Sequence, residues 1–285
     1  MNRLISIRNL CCTGIGLLLL LLVLAGCRVQ VSVGDPVPPD DPDPDHYQPP
    51  VDTSWHLQLQ GTPQLNVAAK LYELDLFDTS TQTITALHAQ QRKLLCYFSA
   101  GSLEAWRADA SSFPPSVQGG PLADWPGEVW LDIRDSKVRE LMRKRLQLAR
   151  DKGCDGVDPD NVDGYLQNSG FNLTAADQLD YNRFLAREAH GMGLAIALKN
   201  DLQQITALVD SFDLAINEQC HAFQECHYLA PFIQAGKPVL NIEYADRFMA
   251  DEQSQQQLCD EAASQGLQTQ VLTPALDGTV RLRCF

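Results

Sequence analysis

Gly153-Cys154-Asp155-Gly156-Val157-Asp158-Pro159-Asp160-Asn161-Val162-Asp163-Gly164-Tyr165 is the stretch on which the reading of this chain turns. It crowds four aspartates around a Gly-Val core directly after a long helical pattern, the composition of a short buried strand running into an acidic loop. Carboxylates this close raise one another's pKa unless a cation, a proton or a hydrogen-bond donor compensates. Three roles meet that condition: a metal site, a catalytic carboxylate site or a solvated acidic turn.

Outward from this stretch, short β-prone apolar runs alternate with helical patterns, the signature of parallel βα units. The runs are Trp55–Leu59, Leu71–Phe77, Lys93–Phe98, Gly156–Asp158, Leu194–Leu198, Leu214–Ile216, Val239–Ile242 and Gln268–Leu272. Ser136–Arg150, Thr174–His190, Leu202–Ser211, Ala222–Ala235 and Asp251–Gln265 carry apolar residues at helical spacing, with Gly191 and Gly266 as stops. Such an alternation predicts an α/β fold, a (β/α)8 TIM barrel in a single catalytic domain over residues 53–285. A doubly wound sheet is the alternative, but Gln60-Gly61-Thr62-Pro63 after the first run is no phosphate-binding loop.

In a barrel, chemistry gathers at the C-terminal ends of the strands. Here those ends read Glu73-Leu74-Asp75-Leu76-Phe77-Asp78, Tyr97-Phe98-Ser99, Asp158-Pro159-Asp160-Asn161, Lys199-Asn200-Asp201, Asn217-Glu218-Gln219-Cys220 and Glu243-Tyr244. Helix capping accounts for Asp78 and Asp201. It does not account for Glu, Lys, Tyr and Gln together, which point to one shared mouth. The segment Ser99–Arg134 reads as a long loop carrying Trp106, Trp125 and Trp130, either sugar platforms or the loop's own small core.

The first 26 residues stand apart. Arg3 and Arg8 precede an apolar run that closes on Leu24-Ala25-Gly26-Cys27, which looks like a bacterial lipoprotein signal with Cys27 as the lipidated first residue; an uncleaved anchor is the alternative. Both place the rest of the chain outside the cytoplasm, and Arg28 rather than an acidic residue after the cysteine resembles Gram-negative lipoproteins in a way that favours the outer membrane. Residues 27–52 follow as a Pro/Asp-rich linker, an extended spacer. Losing the leader's two arginines leaves 20 basic against 36 acidic residues, a formal charge of −16. Such a surface repels nucleic acid and attracts polycations. Six cysteines remain, Cys96, Cys154, Cys220, Cys226, Cys259 and Cys284, an even count that suits disulfides in an oxidising compartment. Cys220 and Cys226 are near enough to pair, Cys259 with Cys284 would pin the C-terminus, and Cys96 with Cys154 follows by elimination, although 15 connectivities are open. Zinc ligation by these cysteines has poor spacing.

The ordered motifs Cys96-Tyr97-Phe98-Ser99-Ala100-Gly101-Ser102, Glu104-Ala105-Trp106-Arg107-Ala108-Asp109, Trp130-Leu131-Asp132-Ile133-Arg134, the Gly153–Gly164 stretch, Leu198-Lys199-Asn200-Asp201 and Asn217-Glu218-Gln219-Cys220 resemble the endo-α-1,4-polygalactosaminidase family of glycoside hydrolases. The resemblance runs from Trp55 to Tyr244. It implies a secreted or surface-bound barrel that cleaves galactosamine-containing polymers, with an acid pair ending the fourth and sixth strands. Carried onto this chain, the pair is Asp160 and Glu218. The family pattern allows glutamate as often as aspartate at position 158.

Glycosidic cleavage needs one carboxylate as nucleophile or base and one carboxylic acid for the leaving oxygen. The expectation is therefore Asp160 as nucleophile and Glu218 as acid/base, raised in pKa by its anionic neighbour. Asp75, Tyr97, Asp158, Asn161, Lys199, Asn200 and Glu243 are expected to bind substrate, with Glu243 competing for the acid role and Asp158 for the nucleophile. Asp155 and Asp163 take structural or capping roles. A cationic or partly acetylated galactosamine polysaccharide is the expected partner of a monomer that needs no metal or other cofactor. The alternatives are a lipid-anchored glycan-binding protein that has lost turnover, a divalent-metal enzyme with His190 or His221 joining the aspartates, and a glycosidase of other specificity.

Overall fold

The computed structural model describes residues 46–285, so the leader, Cys27 and the linker as far as residue 45 lie outside the described residues. The chain begins with β1 (Trp55–Gln58), β2 (Leu71–Asp75), α1 (Thr81–Ala89) and β3 (Lys93–Ser99). A small excursion follows: β4 (Ser102–Glu104), β5 (Gln118–Pro121) and β6 (Glu128–Leu131). Then come α2 (Ser136–Lys152), β7 (Gly156–Asp160), α3 (Ala175–Gly191), β8 (Ala195–Lys199), α4 (Ile205–Leu208) and β9 (Leu214–Glu218). The chain finishes with α5 (Cys220–Phe223), α6 (Ala230–Gln234), β10 (Val239–Glu243), α7 (Glu252–Gln265), β11 (Leu267–Leu272) and β12 (Val280–Arg283).

The main sheet runs β1-β2-β3-β7-β8-β9-β10-β11-β12, and every pairing is parallel except the last. Its first eight strands are those that the apolar runs anticipate, curled into a (β/α)8-type barrel. Side chains draw the first and eighth strands together: the Trp55 indole donates to Gln268 O at 3.0 Å, and the Gln270 amide donates to Trp55 O at 3.1 Å. The barrel interior is filled by alternate residues, among them Trp55, Leu57, Leu71, Leu95, Ala197, Leu214, Ile216, Leu240, Ile242 and Leu272. The opposite residues of the same strands pack outward beneath the helices. Both faces of a strand are therefore apolar, as in parallel sheets generally.

Helix boundaries follow local chemistry. Asp135 and Thr174 accept backbone N–H groups ahead of α2 and α3, Thr174 in a capping box with Asp177. Gly153 and Gly266 end α2 and α7 in the left-handed conformation that only glycine adopts without strain. Gly191 instead remains inside α3. The helix expected over Ala222–Ala235 is broken into α5, a 3-10 turn and α6, because the Cys220–Cys226 disulfide and the left-handed Gln224 interrupt it.

Ser99–Arg134 is more than a loop. Its strands form a three-stranded antiparallel sheet, β4-β6-β5, that stands beside the barrel mouth. The expected disulfides Cys96–Cys154, Cys220–Cys226 and Cys259–Cys284 are all present. The first joins β3 to the turn ahead of β7, and the last ties the C-terminus to α7.

Candidate active site

A cleft of about 950 Å³ opens over the C-terminal ends of the strands. The last residues of β7, β8 and β9 supply its centre: Asp160, Lys199 and Glu218. Lys199 is buried, and its Nζ lies 3.3 Å from Asp160 Oδ1 and 3.4 Å from Glu218 Oε2. Those two carboxylate oxygens can stand no farther apart than the sum of these distances, 6.7 Å. Burial alone would lower the Lys199 pKa, but Asp160, Glu218 and Asp158 outweigh it and hold the ammonium charged well above its ordinary range.

Each carboxylate is also held from its own side. Tyr97 donates to Asp160 Oδ2 at 2.9 Å, and the Asn161 N–H donates to Oδ1 at 2.7 Å. Tyr244 donates to Glu218 Oε1 at 2.5 Å. Burial first, and then the adjacent anions, raise both phenols' pKa, so they stay protonated donors. The residues following these three groups, Asn161, Asn200 and Gln219, all have positive φ, at 60°, 50° and 65°. Non-glycine residues in that region cost of order 1–3 kcal/mol each and gather at functional sites. Here the left-handed turns set the chain's course just past each strand end. They also free polar groups: Asn200 Oδ1 accepts from the Glu218 N–H at 3.0 Å, and Asn161 Nδ2 donates to Ser99 Oγ at 2.8 Å.

A close backbone approach locks the β3 end to this centre. The Ala100 and Gly101 N–H groups both donate to Asp160 O. A Cβ on Gly101 would sit 1.7 Å from Asn161 O, so only glycine fits there. Ser99 and Ser102 hydroxyls meet at 2.6 Å, and Ser102 donates onward to Glu128 of the small sheet, also at 2.6 Å. Burial lifts the Glu128 pKa to about 7.

Of the residues expected to bind substrate, Asp75, Tyr97, Asn161, Lys199 and Asn200 line the cleft. Asp75 does so through an ion pair, its two oxygens accepting from Arg107 while Glu104 grips the same guanidinium. Two expectations need correction. Glu243 is fully buried and faces outward, where its carboxylate accepts from the His221 and Ala222 N–H groups at the start of α5. The alternation of β10 causes this, because Leu240, Ile242 and Tyr244 take the inner face. Asp158 does face inward, but it lies fully buried below the mouth and does not line the cleft.

Asp158 lies close to Glu73, a residue that the sequence reading did not single out. None of their four carboxyl oxygens has another hydrogen-bond partner among the described residues. Burial, then mutual repulsion, raises Glu73 well above the carboxylate range, and burial raises Asp158, so the pair retains a proton beneath Lys199. Tyr244, Glu104, Arg107 and Glu128 were likewise given no role; Tyr244 reads in the sequence as part of a strand end, but only the structure shows that it shares the inner face with Ile242.

The predicted caps also differ. Ser80, not Asp78, caps α1. Asp201 is buried and takes the Asn182 amide at 2.8 Å, with burial lifting its pKa to about 8. Asp155 is structural, accepting from the Leu94 N–H and from Lys93, and Asp163 accepts from the Gln167 amide without capping. His221 abuts α5's disulfide, and His190 lies at the far end of the barrel. The tryptophans divide: Trp106 and Trp125 are 57% and 50% exposed along the cleft, whereas Trp130 is buried.

Known proteins share this fold. The crystal structure of Aspergillus fumigatus Ega3 in complex with galactosamine superposes with a TM-score of 0.79 and 42% identity, over 82% of this chain and 96% of that one. The glycoside hydrolase domain of PelA from Pseudomonas aeruginosa shares the fold at 17% identity, with a TM-score of 0.63 over 80% of this chain and 97% of that domain. An uncharacterized protein of Deinococcus radiodurans is 26% identical over 223 residues, 68% of this chain and 72% of its own length. The model of glycoside-hydrolase family GH114 matches residues 38–284, and the chain belongs to that family of enzymes.

Proposed function

We propose that this glycoside hydrolase is an endo-acting enzyme on α-1,4-linked galactosamine-containing polysaccharide, working with retention of configuration. The observation that carries the reading is the pair of carboxylates on either side of Lys199, with facing oxygens no more than 6.7 Å apart. That bound admits the about 5–5.5 Å between carboxyl groups of retaining enzymes and reaches the lower edge of the about 6.5–9.5 Å of inverting ones, so the anomer released decides between them.

Asp160, hydrogen-bonded by Tyr97 and Asn161 and paired with Lys199, is the nucleophile. Its oxygen forms a bond to the anomeric carbon while Glu218 gives its proton to the departing glycosidic oxygen. Glu218 then takes a proton from water, which displaces Asp160 from the anomeric carbon and restores both groups. Tyr244 keeps Glu218 aimed across the cleft.

The lining supports a cationic sugar. Eight acidic side chains and two basic ones face the cleft, and one of the two bases, Arg107, is already paired with Asp75 and Glu104. Even with Glu73 protonated, the field favours an ammonium-bearing polymer. Ega3's complex with galactosamine agrees with that choice. The open cleft with Trp106 and Trp125 along it suits internal cleavage of a long chain.

We further place the enzyme outside the cytoplasm, tethered through lipid on Cys27, on the strength of its leader sequence. Palmitate labelling that persists in Cys27→Ser would remove that placement.

The test of the enzymatic reading is product analysis on galactosamine polymers of defined acetylation. Wild type should release oligomers whose newly formed reducing ends are α-anomers, and Glu218→Gln and Asp160→Asn should release almost none. A first-formed β-anomer sinks retention. Turnover that survives in Asp160→Asn but vanishes in Asp158→Asn sinks the nucleophile assignment.

A further inference from the structure

At the N-terminal ends of the strands, opposite the cleft, three distant segments converge. His46 lies in the segment ahead of β1, His190 in the last turn of α3, and Asp213 immediately before β9. His46 Nε2 is 2.9 Å from Asp213 Oδ1, and His190 Nε2 is 3.0 Å from Oδ2. The imidazoles stack at 4.2 Å, and the three ligand-capable atoms all lie within 4.8 Å of one another. Their side chains are 10%, 31% and 6% exposed.

Gln48 makes this cluster unusual. Its amide terminus is 2.7 Å from His46 Nε2 and 2.8 Å from Asp213 Oδ1, completing a triangle of polar atoms all within hydrogen-bond range. With Asp213 as a carboxylate, no placement of protons satisfies that triangle. If His46 donates to Asp213, the Gln48 NH2 faces another N–H; if it does not, a bare imidazole nitrogen faces a carboxylate. With the amide turned over, its carbonyl oxygen faces the carboxylate instead. Each choice leaves one like-on-like contact.

We infer that His46, His190, Asp213 and the amide oxygen of Gln48 form a binding site for a divalent transition ion of the zinc class, which clamps the segment ahead of β1 to the base of the barrel. A cation inside the triangle turns each facing lone pair into a ligand and removes the conflict. Two imidazoles, a carboxylate and an amide oxygen suit zinc better than calcium or magnesium, which take oxygen ligands. Bonds of about 2.0–2.2 Å in a tetrahedron put ligand atoms roughly 3.3–3.5 Å apart, so the His–Asp contacts need open by only a few tenths of an ångström while the stacked rings tilt toward the ion. Asp213 Oδ2 also accepts the Ile196 N–H at 2.8 Å, an outer contact that fixes the carboxylate from behind. Lys237, the nearby cation, is occupied by the carbonyls of Val209 and Phe212. The other convergent set among the described residues, Cys220, His221 and Cys226, has its sulfurs joined in a disulfide.

The site is tested with the full chain, purified without a histidine tag, stripped with chelator and titrated with Zn2+. One ion per chain should bind, and His46→Gln and His190→Gln should each weaken binding by more than about 100-fold, beyond what an outer-contact change alone costs. Zinc should slow amide exchange over residues 46–53 in wild type and leave it unchanged in His46→Gln. His46 lies ahead of β1, so its substitution leaves the barrel intact, and an unchanged melting profile without zinc verifies this. Polymer hydrolysis should not depend on zinc. Absence of saturable binding overturns the inference, as does binding that is undiminished in both variants.

Discussion

Lys199 holds its ammonium 3.4 Å from Oε2 of Glu218, and the same nitrogen faces Asp160 at 3.3 Å. One buried cation therefore offsets the repulsion between two carboxylates that the chemistry needs close together. Replacing it with the uncharged Lys199→Met should lower kcat/KM by about 100- to 1,000-fold, the scale of removing one preorganised electrostatic partner. Steady-state kinetics on a galactosamine polymer checks this, and a loss below tenfold would show that Lys199 is a packing residue.

Among the described residues, Tyr244 gives Glu218 its only side-chain hydrogen bond. A hydrogen bond to the carboxylate that Glu218 becomes once it has given up its proton is worth about 1.5–3 kcal/mol, so Tyr244→Phe should lower kcat by about 10- to 100-fold. KM should change little, because the phenol is directed at Glu218.

Glu243 tests the assignment from the other side. Since its carboxylate serves α5 rather than the cleft, Glu243→Gln should keep kcat/KM within about threefold while costing about 1–3 kcal/mol of stability. A loss of activity comparable to that of Glu218→Gln, with an unchanged melting temperature, would return Glu243 to the list of candidate acids.

The proton held by Glu73 and Asp158 predicts a pH effect on stability. Both pKa values are raised by burial, so the folded chain binds more protons than the unfolded one once pH exceeds the ordinary carboxylate range near 4. The pair's contribution is fully present below that range and is lost as pH rises through the folded-state values. Glu73→Gln, which removes one ionisable group and keeps the shape, should therefore flatten the decline in melting temperature toward alkaline pH. Parallel curves for the two proteins would show that the pair does not titrate together.

Salt should separate cationic from neutral substrates. Activity on a de-N-acetylated polymer should fall as ionic strength passes about 0.15 M, where screening reaches about 8 Å, while activity on an acetylated polymer should hold. Equal salt responses would argue against electrostatic capture by the acidic cleft.

The sequence alone determined the strand count and the end of the barrel that carries polar residues. Both are local: a run of β-prone residues bounded by breakers marks a strand wherever it lies, and Asp160, Lys199 and Glu218 each close such a run. The small sheet β4-β6-β5 was less legible, since its strands span only three or four residues and one contains Gly119, Gly120 and Pro121.

Which face a strand-end residue takes was left to tertiary structure. Glu218 and Glu243 both end strands of five residues, yet β9 and β10 pair with Ile242 opposite Glu218, so Glu243 must point the other way. In a barrel covered by helices both faces of a strand are apolar, and the alternation that would reveal the inward phase is erased. The Gly153–Tyr165 stretch shows the same division. Its composition announced a strand running into acids, but only the curl of the sheet brought Lys199 against Asp160 and buried Asp158 beside Glu73. Those partners lie tens of residues away along the chain, and it is their charge and burial that give each aspartate its role.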